Sequence, residues 1–304
     1  MAGTEDDLMT FLDPKTDIAF KKLFSNQSKK EILISFLNSV LERKDGEKIV
    51  DTTVIDPINH QRNDFDKLSI VDARCIDQAG KTYIIEMQAT DEKDYLERSQ
   101  YYSAHTLTQQ LKASDKYAQL TPVIFVGVLG FNLFKGSHYL NHHLIIDKET
   151  NEHALKHLEF HFIELEKFNK SLEALSSPAD KWIYLFKHAE DLRTIPSQLK
   201  KPHELSDALE VLEEGTWSRS EVASYFRYVD MRRKEKSRTE TALEKGLKKG
   251  LEKGLEKGLA KGGKQAAIKI AKRLLKTMSI KQVAQCTDLS ITEIEKLKKN
   301  KDGR

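Results

Sequence analysis

Two segments of alternating polarity, residues 68–77 and 81–90, stand only three residues apart, and no other feature restricts the fold as much. Both are rich in β-branched side chains, and the loop between them is Gln78, Ala79 and Gly80, with glycine free to take the left-handed conformation of a tight hairpin. If Asp77 pairs with Lys81, the register follows by arithmetic and Asp72 faces Glu86. Gln88 then shares the face of the two acids. Val71, Ala73 and Cys75, with Tyr83, Ile85, Met87 and Ala89, form the opposite, apolar face. One face is expected to pack and the other to hold two carboxylates.

The surrounding pattern predicts an α/β body. Phe20, Leu23 and Phe24, then Ile32, Leu33, Phe36, Leu37, Val40 and Leu41, repeat at helical spacing, giving two helices or one broken near Asn26. Residues 48–58 alternate weakly up to Pro57 and read as a strand ahead of the hairpin. Residues 92–114 are helical in period and residues 122–129 almost continuously apolar, so the order is helix, three strands, helix, strand. Further strands are expected at 139–147 and 155–165, and helices at 180–192 and 203–213.

Composition changes abruptly near residues 228–236. All 24 aromatic residues and all six prolines precede Met231, and residues 231–304 carry 22 Lys and Arg against 9 Asp and Glu, whereas the preceding residues carry 28 against 38. Three regions follow: a body at 1–230, a repeat at 231–264 and a small helical region at 265–304. In the repeat, Leu243, Leu247, Leu251, Leu255 and Leu259 alternate with Gly246, Gly250, Gly254, Gly258 and Gly262. Each helical glycine costs about 1 kcal/mol relative to alanine, so the segment is either a helix that a partner packs against closely or a flexible linker. Beyond it, residues 265–277, 279–287 and 292–299 read as three helices, the last two resembling a helix-turn-helix across a turn at 288–290.

Like charges directly opposite on a sheet repel, and a hard divalent cation relieves the repulsion while gaining oxygen ligands. Asp72 and Glu86 are therefore candidate ligands for magnesium, with manganese as an alternative, in metal-assisted phosphodiester hydrolysis. A solvated strand face with both acids pointing to water is the competing reading.

An acid on the second strand and E-x-Q on the third, within this order of elements, looks like the PD-(D/E)XK nuclease core, the restriction-endonuclease-like fold. More narrowly, FLDPKTDIAFKKLF, the VDARCID and IIEMQ pair, RSQYYSAHTLTQQL and KYAQLTPVIFVGVL resemble the Rpn family of recombination-promoting nucleases, also called PD-(D/E)XK family transposases, over about residues 11–170. The resemblance implies a DNA endonuclease with Asp72 and Glu86 as metal ligands, the Met87 backbone carbonyl as a third, and Gln88 where many of the wider superfamily place lysine. Glutamine hydrogen-bonds a water or a phosphate oxygen but brings no charge, so a catalytically inactive DNA-binding or regulatory protein that keeps the same fold is the alternative. Asp17 matches an acidic position such nucleases add to the site, and a helix N-terminal acid favoured by the macrodipole explains it equally well. Lys21, Tyr101 and Gln110 are DNA-contact candidates. Tyr101 and Tyr102 are also suited to packing.

The basic tail suits phosphate contacts, self-assembly into a homo-oligomer, or both. The resemblance further implies a short C-terminal product, which here would start at Met231. Two cysteines, Cys75 and Cys286, no long apolar run and no basic, apolar leader at the N-terminus give the expectation of a soluble cytoplasmic protein without a membrane segment. Other motifs carry less. Residues 258–264 approach a phosphate-binding loop but have Gln265 in place of Ser or Thr and no strand before them. His138, His142 and His143 have no completing ligand by spacing. His157, Glu159 and His161 read as a solvated strand face, and His203 opens a motif without the second histidine of a metalloprotease.

Overall fold

A computed structural model of the chain describes residues 10–59 and 69–299. The elements in order are α1 (Asp17–Phe24), α2 (Lys30–Val40), β1 (Thr52–Ile55), β2 (Ile58–Asn59), β3 (Ser69–Ile70), β4 (Ala73–Asp77), β5 (Thr82–Gln88), α3 (Tyr95–Gln109), β6 (Val123–Leu129), β7 (Leu140–Leu144), β8 (Leu158–Glu164), α4 (Pro178–His188), α5 (His203–Leu212), α6 (Arg219–Leu274), α7 (Ile280–Thr287) and α8 (Ile291–Lys299). By contacts the chain divides into two units, Met1–Val229 and Asp230–Arg304.

The first unit is built on a six-stranded sheet in the order β1-β4-β5-β6-β8-β7. Strands β1, β4 and β5 are antiparallel, β5, β6 and β8 run parallel, and β7 returns antiparallel to β8. The parallel step from β5 to β6 needs a long crossover, which α3 supplies. As in other crossover sheets, both faces are covered. On one face Ala73, Cys75, Tyr83, Ile85, Val126 and Val128 meet α1, α2, α4 and α5, with Phe24, Phe36, Trp182 and Phe186 in mutual ring contact. On the other, Ile84, Val123, Phe125 and Phe162 pack with Tyr95 of α3. Each fully buried ring or aliphatic chain contributes roughly 1.5–3 kcal/mol, so these two layers hold the sheet between them.

The hairpin has the register read from the sequence: Ala73 faces Ile85, Asp77 donates its N–H to the Lys81 carbonyl at 3.0 Å, and Gly80 has φ +80°. The strand expected at 68–77 is interrupted. Residue 68 lies outside the described residues, and the backbone leaves the ladder at Asp72, where the Val71 N–H bonds the Pro57 carbonyl at 3.1 Å. This turns Val71 out of strict alternation, and it packs with Ile84 and Tyr95 rather than with Ala73 and Cys75. Strands β2 and β3 form a separate two-stranded sheet between β1 and β4.

The acid-bearing face is likewise not an open one. Glu86 is 7% exposed beneath α3. His161, expected on a solvated strand face, is also buried, because β7 covers β8 and sets His142 opposite it with ring centroids 4.6 Å apart.

In the second unit the leucine and glycine repeat is helical and continuous with residues 265–274, which do not form a separate helix. Its five leucines are 64–74% exposed, and a Cβ built on any of its glycines would meet open space. Ala271, Val283, Leu289 and Ile294 form a small core around α7 and α8, and Asp288, with φ +53°, ends α7. No helix among the described residues is long and apolar enough to cross a membrane.

Candidate active site

The site forms where β4 leaves the sheet. Having lost its ladder partner, the Met87 N–H is satisfied by the Asp72 carboxylate, Oδ2 accepting it at 2.8 Å. The other carboxylate oxygen lies 3.7 Å from the Lys21 ammonium of α1. Burial and the nearby Asp17 push the Asp72 carboxyl up, against the Met87 N–H and Lys21, which lower it.

The β4–β5 ladder ends at Ala73 and Ile85, so Asp72 and Glu86 are the next residue on each strand, near enough for their carboxyls to interact electrostatically. Burial first, and then the neighbouring Asp72, push its carboxyl up to about 8, with Arg98 acting in the other direction. No hydrogen bond to the Glu86 carboxylate is present among the described residues. Its neighbour on β6 is Gly127, and the absence of a side chain there admits the Tyr95 hydroxyl: a Cβ on Gly127 would stand 2.5 Å from that oxygen. The hydroxyl is itself buried without a partner. A buried acid with no donor beside a second acid is costly unless it stays protonated or meets a cation.

Gln88 ends β5 with both ends of its amide engaged. Its Oε1 accepts from Arg98 Nη2 at 3.0 Å, and its Nε2 donates to the Thr90 carbonyl at 3.0 Å. Arg98 is the residue that sequence reading passed over, although it stood within one of the quoted strings. The 95, 98, 102 spacing places Tyr95, Arg98 and Tyr102 on one side of α3, and that signal was available.

Asp17 opens α1, behind the Thr16 N-cap, and accepts a hydrogen bond from the Tyr228 hydroxyl of α6 at 3.1 Å. It sits in the first turn of a helix and within electrostatic reach of Asp72. Among the described residues no three His, Cys, Asp or Glu side chains converge on one metal position. The side-chain oxygens available are those of Asp72 and Glu86, and two carboxylates of this kind with an adjacent main-chain carbonyl are a donor set suited to a hard cation that keeps several waters.

The DNA-contact candidates separate. Lys21 is half exposed beside Asp72, and Tyr101 is 40% exposed, stacked on His105. Tyr102 is partly buried against the α3 layer. Gln110 braces a turn, its Oε1 accepting the Thr121 N–H at 2.8 Å and its Nε2 donating to the Thr121 carbonyl at 3.0 Å. Its amide is thus largely committed to the protein.

A family model described as PD-(D/E)XK nuclease family transposase matches residues 14–242, most of the chain. The chain belongs to that family. Membership in the PD-(D/E)XK nuclease family agrees with the α/β core and assigns a nuclease-like function, in a family whose enzymes generally use divalent metals. No curated protein matches the chain significantly, and no solved structure does so.

Proposed function

We propose that the chain is a Mg²⁺-dependent DNA endonuclease, with Mn²⁺ an alternative ion, whose chemistry is carried by Asp72 and Glu86. The observation supporting this most strongly is the proximity of these two acids just beyond the last ladder pair of β4 and β5, with Glu86 buried and without a donor. The Met87 carbonyl is the proposed third ligand. Within a strand the N–H and C=O of one residue point to the same side, so it faces the gap its own N–H bridges to Asp72.

Asp72, Glu86 and the Met87 carbonyl would hold a divalent ion, which when bound would polarise the phosphodiester and lower the pKa of a bound water. Overall, a water oxygen bonds to phosphorus, the bond to the leaving sugar oxygen breaks, the water gives up a proton and the leaving oxygen gains one. Gln88, fixed at both ends, orients the water or a phosphate oxygen, and Asp17 adds negative charge beside Asp72. Lys21 and Tyr101 are proposed to touch DNA, with Gln110 limited to its remaining amide N–H.

The exposed leucine stripe beside open glycines supports homo-oligomerisation through the C-terminal helices, since small residues allow close helix approach. The basic charge of that region supports DNA binding as well. A 74-residue product from Met231 would contain the repeat and could pair through it. A part in recombination and a cytoplasmic location belong to the same proposal.

The test is a divalent-ion titration of plasmid cleavage by the full chain beside D72A and E86A. Nicking by wild type that both variants abolish is the expected result. Cleavage that survives both substitutions overturns the site. Absence of wild-type cleavage with every ion, and DNA binding retained, favours the inactive binding protein that the neutral Gln88 suggests.

A further inference from the structure

The strand that carries E-x-Q brings no positive charge to the phosphate, yet the charge left in a phosphoryl-transfer transition state sits largely on the non-bridging oxygens and needs donors or cations around it. The molecule has a cation in the right neighbourhood, on a different element. Arg98 lies in the first half of α3, directly over the end of β5. Its Nη2 donates to Gln88 Oε1 at 3.0 Å, its Nη1 pairs with Glu92, and its guanidinium lies 5.5 Å from the Tyr95 ring centroid.

Three features suggest more than a structural brace. A guanidinium has five N–H donors, and among the described residues only two of those on Arg98 reach acceptors; its Nε is buried with no partner. Its anionic partner Glu92 is 45% exposed, so that pair is screened and easily exchanged. It also acts electrostatically on Glu86, opposite in sign to the repulsion from Asp72. Lys21, the cation on the other side, lies 3.7 Å from the Asp72 carboxylate and so stands on the carboxylate side of the site.

We propose that Arg98 is the phosphate-facing cation of this site, supplying from α3 the charge that position 88 lacks on β5, and that its bond to Gln88 ties the two together. It transfers no proton. Arginine suits this place because its planar fork holds a carboxamide and a phosphate oxygen at once and keeps its charge at any working pH.

This inference rests on the nuclease reading, and its test has an arm that does not. The full chain, R98Q, R98K and the double variant Q88K/R98Q are compared in two measurements. The first is plasmid cleavage in Mg²⁺. R98Q is expected to lower kcat by about 10²- to 10³-fold, the size found when one charge-stabilising donor is removed, with KM rising by no more than the loss of affinity measured below. Q88K in the R98Q background is expected to recover at least ~10-fold, because a charge restored on β5 does the same work.

The second is binding of a short duplex with non-hydrolysable linkages over a series of salt concentrations. R98Q is expected to weaken affinity and to reduce the log–log salt slope by about 0.9, one phosphate contact, while R98K and Q88K/R98Q keep the wild-type slope. R98K also guards against a folding defect, since it retains the charge. An R98Q slope equal to wild type overturns the proposal, whether or not the enzyme cuts. If wild type fails to cut but R98Q loses one contact, the nuclease reading fails and the role of Arg98 in holding phosphate stands. A loss of kcat that Q88K does not repair, with the slope unchanged, reduces Arg98 to a positioning residue for Gln88.

Discussion

The Asp72 carboxylate takes the backbone N–H of Met87 at 2.8 Å, in the place where a neighbouring strand would otherwise have accepted it. One side chain therefore completes the sheet and contributes to the candidate metal site. These roles separate under substitution. D72N keeps an acceptor and is expected to retain the wild-type melting temperature while losing cleavage. D72A leaves the N–H unsatisfied, and is expected to lose cleavage and a further ~1–3 kcal/mol of stability, measured by urea unfolding.

Glu86 gives the opposite sign. It is a buried acid without a donor, next to a second acid, and its presence destabilises the metal-free fold. In chelator E86Q is expected to melt higher than wild type, by on the order of 1–3 kcal/mol in unfolding free energy. Adding Mg²⁺ or Mn²⁺ should raise the melting temperature of wild type and not that of E86Q. A variant less stable than wild type in chelator would contradict this account of the site.

Gly127 is a packing requirement. An added Cβ would meet the Tyr95 hydroxyl at 2.5 Å and a Phe162 ring carbon at 3.0 Å, both in a filled layer. G127A is expected to cost roughly 1–3 kcal/mol. Y95F removes the clashing oxygen together with a buried hydroxyl that has no partner, so G127A/Y95F should be more stable than G127A alone by thermal melting.

Asp180 governs acid stability away from the site. It is fully buried; burial pushes its carboxyl up, but Lys170, the Ser176 N–H and hydroxyl and the Tyr139 hydroxyl together hold it well below the usual carboxylate range. A depressed folded-state pKa means that its contribution is complete above the ordinary value of 3.8 and is lost as pH falls through the folded one. D180A is expected to cost about 3 kcal/mol or more at pH 7, and the gap to wild type should stay level down to about pH 5 and close below pH 4.

Tyr228 and Asp17 form a pair suited to a double-mutant cycle. The hydroxyl donates to the carboxylate at 3.1 Å from an element far away in sequence. Y228F and D17N are each expected to reduce cleavage several-fold, corresponding to about 1 kcal/mol, and Y228F/D17N to reduce it by less than the product. Independent effects in the kinetics would separate Tyr228 from the site.

The hairpin was legible because Gly80 and a three-residue loop leave a single register that buries Cys75 and Tyr83. The order of the main helices and strands was legible from period alone, though the short β2–β3 ladder was not. The departure of β4 at Asp72 was not. It depends on the bond from the Val71 N–H to the Pro57 carbonyl, fourteen residues before it, and alternation continues through Val71 in the sequence regardless. The burial of Glu86 was hidden for a related reason, since α3 covers that face only after the crossover to β6 is made. Arg98 escaped notice because an arginine on a half-polar helix looks like ordinary surface until the end of β5 is seen beneath it. His161 looked solvated because β8 was read without β7 beside it.

The small β2–β3 ladder interrupts the chain between β1 and β4 without joining the six-stranded sheet. A change of length between β2 and β3 is therefore expected to leave the hairpin register intact, because that register is locked from the far end at Gly80.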